Sequence, residues 1–216
     1  MRYTVALFDM DGTINKTDPG VRNGFRYAFS KLGKSFTEGV ECNEFLGPSI
    51  EHSFEFVFGL EPELIPEAVK LYREYYSSTG INECELYPGL RELLARLKNE
   101  GVTLLTASSK PEKFVRIILD NFDIAKYFDY AAGGRPELGL SDKIDVIEHA
   151  LAEAGVTDRT RCLMIGDRKY DIEGGRMAKI DTCGILWGYG DRPELEEAGA
   201  DWIAATPEEV GDIICS

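Results

Sequence analysis

Two aspartates stand two positions apart near the start of the chain, in the segment Phe8-Asp9-Met10-Asp11-Gly12-Thr13-Ile14. Carboxylates act as nucleophiles, as general acids or bases, and as ligands for divalent cations. The spacing alone carries little weight, because 38 acidic residues in 216 give about seven such pairs by chance. The apolar run before Asp9 predicts a buried strand, and open α/β sheets bind ligands beyond the carboxyl ends of their strands. The pair is therefore a candidate active site.

Three later segments place polar side chains at comparable positions. An apolar run ends in Thr106-Ala107-Ser108-Ser109-Lys110, where Ser108, or Thr106 in another register, closes a predicted strand. Lys143 opens a predicted helix. Asp167 and Asp171 follow the apolar run that ends at Gly166, in the pattern G-D-x-x-x-D. Each segment lies where a strand ends or a helix begins, which is where an α/β fold gathers functional groups.

In this order the four segments resemble the signatures of the haloacid dehalogenase superfamily, and D-x-D-G-T-I after an N-terminal strand is the most specific of them. The resemblance spans nearly the whole predicted core. It implies a phosphatase that transfers the phosphoryl group of a small phosphorylated metabolite to Asp9 and uses Mg²⁺. It also implies a Rossmann-like α/β fold.

The resemblance and the chemistry of the side chains together suggest a role for each residue. Asp9 is expected to be the nucleophile, and Asp11 the general acid and base. Lys143 is expected to hold the phosphoryl group. The other expected contributors are Gly12, Thr13, Ser108 and Ser109 at the phosphate, the side chains of Asp9 and Asp167 with the Asp11 carbonyl at Mg²⁺, and Asp171 as a supporting residue.

Further apolar runs predict the elements that must position these groups. Besides Tyr3 to Phe8, strands are expected at Val102 to Ala107, Cys162 to Gly166, Thr182 to Leu186 and, more weakly, Ala200 to Ala204. Helical patterns lie between them, which predicts a doubly wound parallel sheet. The glycine-rich stretches Ala132-Gly133-Gly134 and Trp187-Gly188-Tyr189-Gly190 lack the spacing of nucleotide loops and are interpreted as turns.

Apolar spacing also predicts the buried faces of three helices. The expected stripes are Leu90, Leu93, Leu94 and Leu97 in the first helix, Phe114, Ile118 and Phe122 in the second, and Ile144, Ile147 and Leu151 in the third. Each stripe would pack on the sheet, as a parallel sheet covered on both faces requires.

Residues 15–84 break the alternation of strands and helices, because they contain helical patterns and no convincing buried strand. We therefore expect a helical cap domain at 15–84 inserted into an α/β core of 1–14 and 85–216. Its aromatic residues are expected to form the core of the cap: Phe25, Phe29, Phe54, Phe56, Phe58, Tyr72, Tyr75 and Tyr76. Arg22 and Arg26 either reach an anionic substrate or are solvated surface residues.

Such a cap is similar to that of phosphoglycolate phosphatases and of related 5′-nucleotidases and β-phosphoglucomutases. The first group is the most similar, on the segments Thr106 to Pro111, Gly166-Asp167-Arg168 and Trp187-Gly188-Tyr189-Gly190. A phosphomutase therefore remains an alternative. A receiver-type signalling domain would also combine an aspartate, an acidic metal site and a lysine. It would, however, accept phosphate near the end of a central strand and would carry no insertion after the first strand.

Composition excludes other classes of function. Acidic residues outnumber basic ones 38 to 24, for a formal net charge of −14, so nucleic acid is not an expected partner. The five cysteines form no CxxC pair and are expected to be reduced. The sequence has no run of about 18 apolar residues and no signal-peptide pattern, which predicts a cytoplasmic protein without a membrane partner.

Overall fold

The structure, a computed structural model, describes residues 1–47 and 49–216; Pro48, inside the predicted cap, lies outside them. The chain divides into two compact units. The first joins Met1–Lys16 to Leu86–Ser216, and the second is Thr17–Glu85. Five free cysteines are distributed over the two units. Among the described residues, none of the helices combines the length and the apolar character needed to cross a membrane.

The first unit contains a six-stranded parallel sheet, which confirms the predicted fold class. The strand order is β5-β4-β1-β6-β7-β8, with bounds β1 Val5–Phe8, β4 Thr103–Pro111, β5 Tyr130–Gly134, β6 Cys162–Gly166, β7 Asp181–Ile185 and β8 Trp202–Ala204. A separate two-stranded sheet consists of β2 (Asn15–Lys16) and β3 (Glu85–Leu86).

Strand β1 lies at the centre of the large sheet because it is apolar on both faces. All four of its residues are buried, as expected for a strand covered by helices on both sides. Val5 pairs with Thr103 of β4 on one side and with Cys162 of β6 on the other, both in parallel. The carboxyl ends of β1, β4 and β6 therefore meet at one edge.

Strand β5 corrects the interpretation of Ala132-Gly133-Gly134 as a turn. These residues belong to a parallel strand beside β4. A Cβ on Gly133 would lie 2.5 Å from the Cα of Glu112 and 2.7 Å from the Lys110 carbonyl oxygen. Glycine is therefore needed here for close backbone approach, a use that sequence composition does not distinguish from a turn.

The helices of the first unit cover the sheet. They are α5 Leu90–Asn99, α6 Glu112–Asn121, α7 Lys143–Glu153, α8 Lys169–Met177, α9 Arg192–Glu197 and α10 Pro207–Cys215. The leucine stripe predicted on α5 is confirmed, since all four leucines are buried. On α7, Ile147 and Leu151 are buried as predicted, while Ile144 is half-buried against the same core.

The buried face of α6 differs from the predicted one. The helix buries Val115, Ile118 and Leu119, whereas Phe114 and Phe122 are half-buried. Helix α6 ends at Asn121, so Phe122 lies beyond its last turn. The spacing i, i+3, i+4 then selects Val115 over its aromatic neighbour.

The second unit is built from helices α1 Asp18–Lys31, α2 Cys42–Phe45, α3 Ile50–His52 and α4 Ile65–Ser78, with a π-helical turn at Ser53–Val57. Its core is aromatic, as predicted. The Phe25 ring packs within 4.7–5.8 Å, centroid to centroid, of Phe45, Phe54, Phe58 and Tyr72.

One aromatic residue assigned to the core of the second unit is on the surface. Phe56 is 68% exposed, whereas Phe54 and Phe58 are buried. The latter two lie four residues apart across the π-helical turn and so share a face, which turns Phe56 outward. Tyr75 is half-buried and donates its hydroxyl hydrogen bond to Glu83.

Candidate active site

The first two candidate residues lie in the turn that follows β1. Asp9 is buried, and its N–H donates to the Ile165 carbonyl of β6 (2.9 Å). The next residues form a tight turn in which the Ile14 N–H donates to the Met10 carbonyl (2.9 Å). Asp9 is therefore held at the carboxyl end of the central strand.

Gly12 is required by this turn for two reasons. Its φ is +90°, which side chains disfavour, and a Cβ would lie 2.6 Å from the carboxyl carbon of Asp167. Its N–H, expected at the phosphate, instead donates to the Asn15 carbonyl (2.9 Å). In this conformation Gly12 closes the turn.

Lys143, the first residue of α7, reaches back to the end of β1. Its Nζ lies 2.6 Å from Asp9 Oδ1 and 2.7 Å from Asp171 Oδ1, and it donates to the Ala107 carbonyl (3.0 Å). Burial by itself would lower the pKa of Lys143, but Asp171 and Asp9 raise it above its usual value. The ammonium therefore stays charged and offsets the carboxylates around it.

Three carboxylates crowd together beside this ammonium. Asp9, Asp167 and Asp171 each offer an oxygen, and the three oxygens lie within 4.8 Å of one another. Asp167 Oδ1 accepts from the Thr13 hydroxyl (3.0 Å), and its Oδ2 accepts from the Tyr189 N–H (2.8 Å). Burial, together with the nearby charges of Asp171 and Asp9, nevertheless raises the pKa of Asp167 well above its usual range.

Asp171 is part of α8 and is buried. It accepts the Arg168 N–H (3.1 Å) at the start of that helix. Burial raises the pKa of its carboxyl, an effect that Lys143 partly opposes. Asp171 therefore links the start of α8 to Lys143.

The buried acidic group suits a hard divalent cation. Carboxylate oxygens are preferred ligands of Mg²⁺. The pKa of Asp167 is raised because burial and the charges of Asp171 and Asp9 disfavour its anionic form, so this carboxylate needs further positive charge as compensation. A cation beside Asp9 and Asp167 would supply that compensation. The donor set therefore fits the predicted metal.

The carboxylate of Asp11 has a different partner. Its two oxygens accept from the Lys110 Nζ at 2.9 and 2.7 Å. Sequence reasoning did not select Lys110, although it lies two residues after Ser108. Its side chain is only 5% exposed, which is unusual for lysine; no spacing rule would have revealed this.

The two registers proposed for the end of β4 are distinguished by their contacts. The Thr106 hydroxyl is fully buried and donates to the Ala132 carbonyl of β5 (2.8 Å), so it serves the sheet. Ser108 lies two residues nearer the strand end, and its hydroxyl oxygen accepts the Lys110 N–H (3.3 Å). Ser109 is exposed. These contacts favour Ser108 as the site residue.

The loop after β7, interpreted from sequence as a turn, also contacts the site. The Trp187 Nε1–H donates to the Thr13 carbonyl (3.0 Å), and the Tyr189 N–H binds Asp167. A Cβ on Gly188 would lie 2.6 Å from the carboxyl carbon of Asp167. The aromatic and glycine residues of this loop thus hold Asp167 in place.

Comparison with known proteins agrees with this geometry. The profile of the haloacid dehalogenase-like hydrolases matches residues 6–185. Tyrosine-protein kinase PtkA of Mycobacterium tuberculosis is 33% identical over 97% of this chain and 72% of its own. A 5′-nucleotidase of Pseudomonas aeruginosa is 32% identical over 90% of this chain and 88% of its own.

More distant in sequence, a phosphoglycolate phosphatase of Vibrio parahaemolyticus is 26% identical over 96% of this chain and 94% of its own. Among solved structures, the haloacid dehalogenase-like hydrolase SP0104 of Streptococcus pneumoniae is 33% identical, with a TM-score of 0.90 and 98% of both chains covered. The phosphatases among its relatives and structural neighbours indicate that the chain is a phosphatase. It belongs to the haloacid dehalogenase-like hydrolase family.

Proposed function

We propose that this chain is a Mg²⁺-dependent phosphatase that hydrolyses a small phosphomonoester through an aspartyl-phosphate on Asp9. One observation carries the proposal: the Lys143 Nζ lies 2.6 Å from Asp9 Oδ1 in a buried group with Asp167 and Asp171. An anionic nucleophile can approach an anionic phosphate only where positive charge is already in place. Lys143 supplies such a charge at the end of β1.

The proposed reaction has two displacements at the same phosphorus. In the first, an Asp9 oxygen attacks, the bond from phosphorus to the ester oxygen breaks, and Asp11 donates a proton to the leaving alkoxide. In the second, a water oxygen attacks while Asp11 accepts a proton from that water, and the bond to Asp9 breaks. Asp11 thus recovers the proton it gave away, and the net reaction consumes one ester and one water.

The remaining residues hold the phosphoryl group and the charged side chains. Lys143 would bind phosphoryl oxygens, together with the Ser108 hydroxyl and the Ser109 N–H. Thr13 supports Asp167 through the hydrogen bond to its Oδ1, and Asp171 orients Lys143 through their ion pair. Gly12 contributes the turn that brings Asp11 near Asp9.

The residues that would hold Mg²⁺ are Asp9, Asp167 and the Asp11 carbonyl. When bound, the ion would neutralise charge on the phosphate under attack. Asp171 belongs to the same acidic group but is paired with Lys143 at 2.7 Å, which supports its role beside the metal ligands.

The relatives suggest which substrates to test first. One is named a phosphoglycolate phosphatase and another a 5′-nucleotidase. We propose that this chain acts on a small phosphorylated metabolite of this kind, with phosphoglycolate as the first candidate. A phosphomutase would use the same aspartates but would pass the phosphoryl group to a second sugar hydroxyl instead of water.

We also propose that residues 15–84 select the substrate. The two arginines considered for this task are engaged within the second unit. Arg22 donates to the Val40 carbonyl (2.9 Å) and lies over the Phe45 ring, and Arg26 is paired with Glu38 (2.7 Å). These contacts favour a structural or surface role for both arginines.

The deciding experiment is a screen of the purified protein with Mg²⁺ against phosphoglycolate, nucleoside monophosphates and hexose phosphates, measuring both free phosphate and isomerised product. We expect free phosphate, lost in excess EDTA and restored by Mg²⁺, together with a phosphorylated Asp9 detected by mass spectrometry after rapid acid quench. Interconversion of hexose phosphates with little free phosphate would establish the mutase. Full activity in EDTA would contradict the metal site.

A further inference from the structure

The ion pair between Lys110 and Asp11 has a feature that surface pairs lack. The lysine side chain is 5% exposed, whereas that of Asp11 is 28% exposed. The ammonium contacts both carboxylate oxygens, at 2.9 and 2.7 Å. A nearly buried cation therefore holds a partly open carboxylate, leaving that carboxylate accessible to small molecules such as water.

The backbone around Lys110 is shaped to direct this side chain. Strands β4 and β5 pair Ser108 with Gly133 and then Pro111 with Gly134. Ser109 and Lys110 are the two extra residues of a bulge on β4, and bulges beside active sites re-aim side chains. The Lys110 N–H closes this segment by donating to the Ser108 hydroxyl oxygen (3.3 Å).

The glycine pair of β5 makes room for the bulge. A Cβ on Gly134 would lie 2.6 Å from the Ser109 carbonyl oxygen, and one on Gly133 would lie 2.7 Å from the Lys110 carbonyl oxygen. Any larger residue would push the bulged strand away. The two glycines therefore permit the bulge, and the bulge in turn directs Lys110 toward Asp11.

We propose that Lys110 is a positioning residue that holds the Asp11 carboxylate for the second displacement, in which aspartyl-phosphate is hydrolysed; this inference rests on the proposed function. In that step the water oxygen forms a bond to phosphorus, one water proton passes to an Asp11 oxygen, and the bond between phosphorus and Asp9 breaks. Because the Lys110 Nζ contacts both Asp11 oxygens, at 2.9 and 2.7 Å, it fixes the position from which that carboxylate can take the water proton. With a substrate whose leaving group needs no proton, losing Lys110 should therefore slow the second step more than the first.

The test uses p-nitrophenyl phosphate, whose leaving group departs without protonation, so that the first step needs little help from Asp11. Lys110→Met is compared with the wild type and with Lys98→Met. The control removes a more exposed lysine with the same two contacts to one carboxylate, since Lys98 Nζ lies 2.9 and 2.8 Å from the two oxygens of Asp129. Asp129 accepts the Leu104 N–H near the start of β4, at the opposite end of that strand from Ser108. Nitrophenolate release is followed by stopped flow, and phosphorylated Asp9 by acid quench.

For Lys110→Met we expect a burst of one nitrophenolate per enzyme, a kcat at least tenfold lower with no rise in KM, and a larger steady-state fraction of phosphorylated Asp9. Lys98→Met should match the wild type. In an Asp11→Asn background, Lys110→Met should change kcat less than twofold, because both substitutions remove the same function. Lys110→Arg should recover at least part of the lost kcat.

Three results would overturn the proposal. A raised KM with unchanged kcat would make Lys110 a substrate-binding residue. A lower kcat without accumulation of phosphorylated Asp9 would place the defect in the first step, and full additivity with Asp11→Asn would show that Lys110 acts elsewhere. If Lys110→Met does not fold, Lys110→Gln is judged by the same criteria. A wild type that never phosphorylates Asp9 would instead refute the proposed function itself.

Discussion

The two units of the chain differ in whether charged side chains are buried or lie on the surface. The first buries Asp9, Asp167 and Asp171 around Lys143 at the end of a parallel sheet. The second buries a cluster of aromatic rings and keeps its ion pairs on the surface, as between Arg26 and Glu38. Buried charge opposes folding unless it is compensated. The concentration of buried charge in the first unit therefore indicates that these residues serve chemistry rather than stability.

The largest effect that would test this contrast is expected at the nucleophile. Asp9→Asn should lower kcat by about a thousandfold or more, because an amide cannot form the acyl-phosphate. The fold should persist, since the amide nearly matches the carboxylate in shape. The checks are phosphate release and circular dichroism. A folded variant with wild-type turnover would refute the assignment of Asp9.

In the second unit, the largest effect should fall on stability. Phe25 is 1% exposed and packs on four other rings, so Phe25→Ala should lower the free energy of unfolding by about 3–5 kcal/mol. Phe56 is 68% exposed, and Phe56→Ala should change it by less than about 0.5 kcal/mol. Urea denaturation measures both, and equal effects would contradict the described aromatic core.

A smaller effect, of opposite sign, is expected from neutralising a buried carboxylate. Without metal, Asp167→Asn should raise the free energy of unfolding, because burial and the charges of Asp171 and Asp9 disfavour the ionised form of this carboxyl in the folded state. Because the pKa of Asp167 is raised in the folded state, its ionisation opposes folding as pH rises above about 4, the unfolded value. The gain should therefore be small near pH 4 and grow toward neutral pH.

Urea denaturation in EDTA at several pH values measures this gain. Added Mg²⁺ should then raise the free energy of unfolding of the wild type, because the ion binds the folded state, and it should raise that of Asp167→Asn by a smaller amount. A gain that does not change with pH would show that the charge of Asp167 carries no penalty.

The smallest effect is expected at the surface pair of the second unit. Arg26 and Glu38 have side chains 44% and 61% exposed, and such pairs contribute about 0–1 kcal/mol. Arg26→Ala should leave kcat/KM for the best substrate within twofold and the free energy of unfolding within about 1 kcal/mol. A tenfold loss of kcat/KM at unchanged stability would indicate that Arg26 binds the substrate.

The sequence alone determined the fold class and most of the buried group at the candidate active site. Apolar runs mark the strands, and turns follow where each run stops, so Asp9 and Asp167 could each be assigned to the end of a strand. Lys143 could be assigned to the start of α7 in the same way. These features are local, because strand ends and helix starts depend on residues within a few positions of one another.

Only the tertiary structure decided the partner of Asp11 and the role of the glycine pair. Asp11 and Lys110 are 99 positions apart and meet because β1 pairs with β4 and a bulge turns the lysine inward. Gly133 and Gly134 resemble a turn in composition but permit close packing of a strand, and Tyr189 reaches Asp167 from a loop 22 positions away. Such contacts depend on strand order and on the space between backbones, which no spacing along the chain specifies.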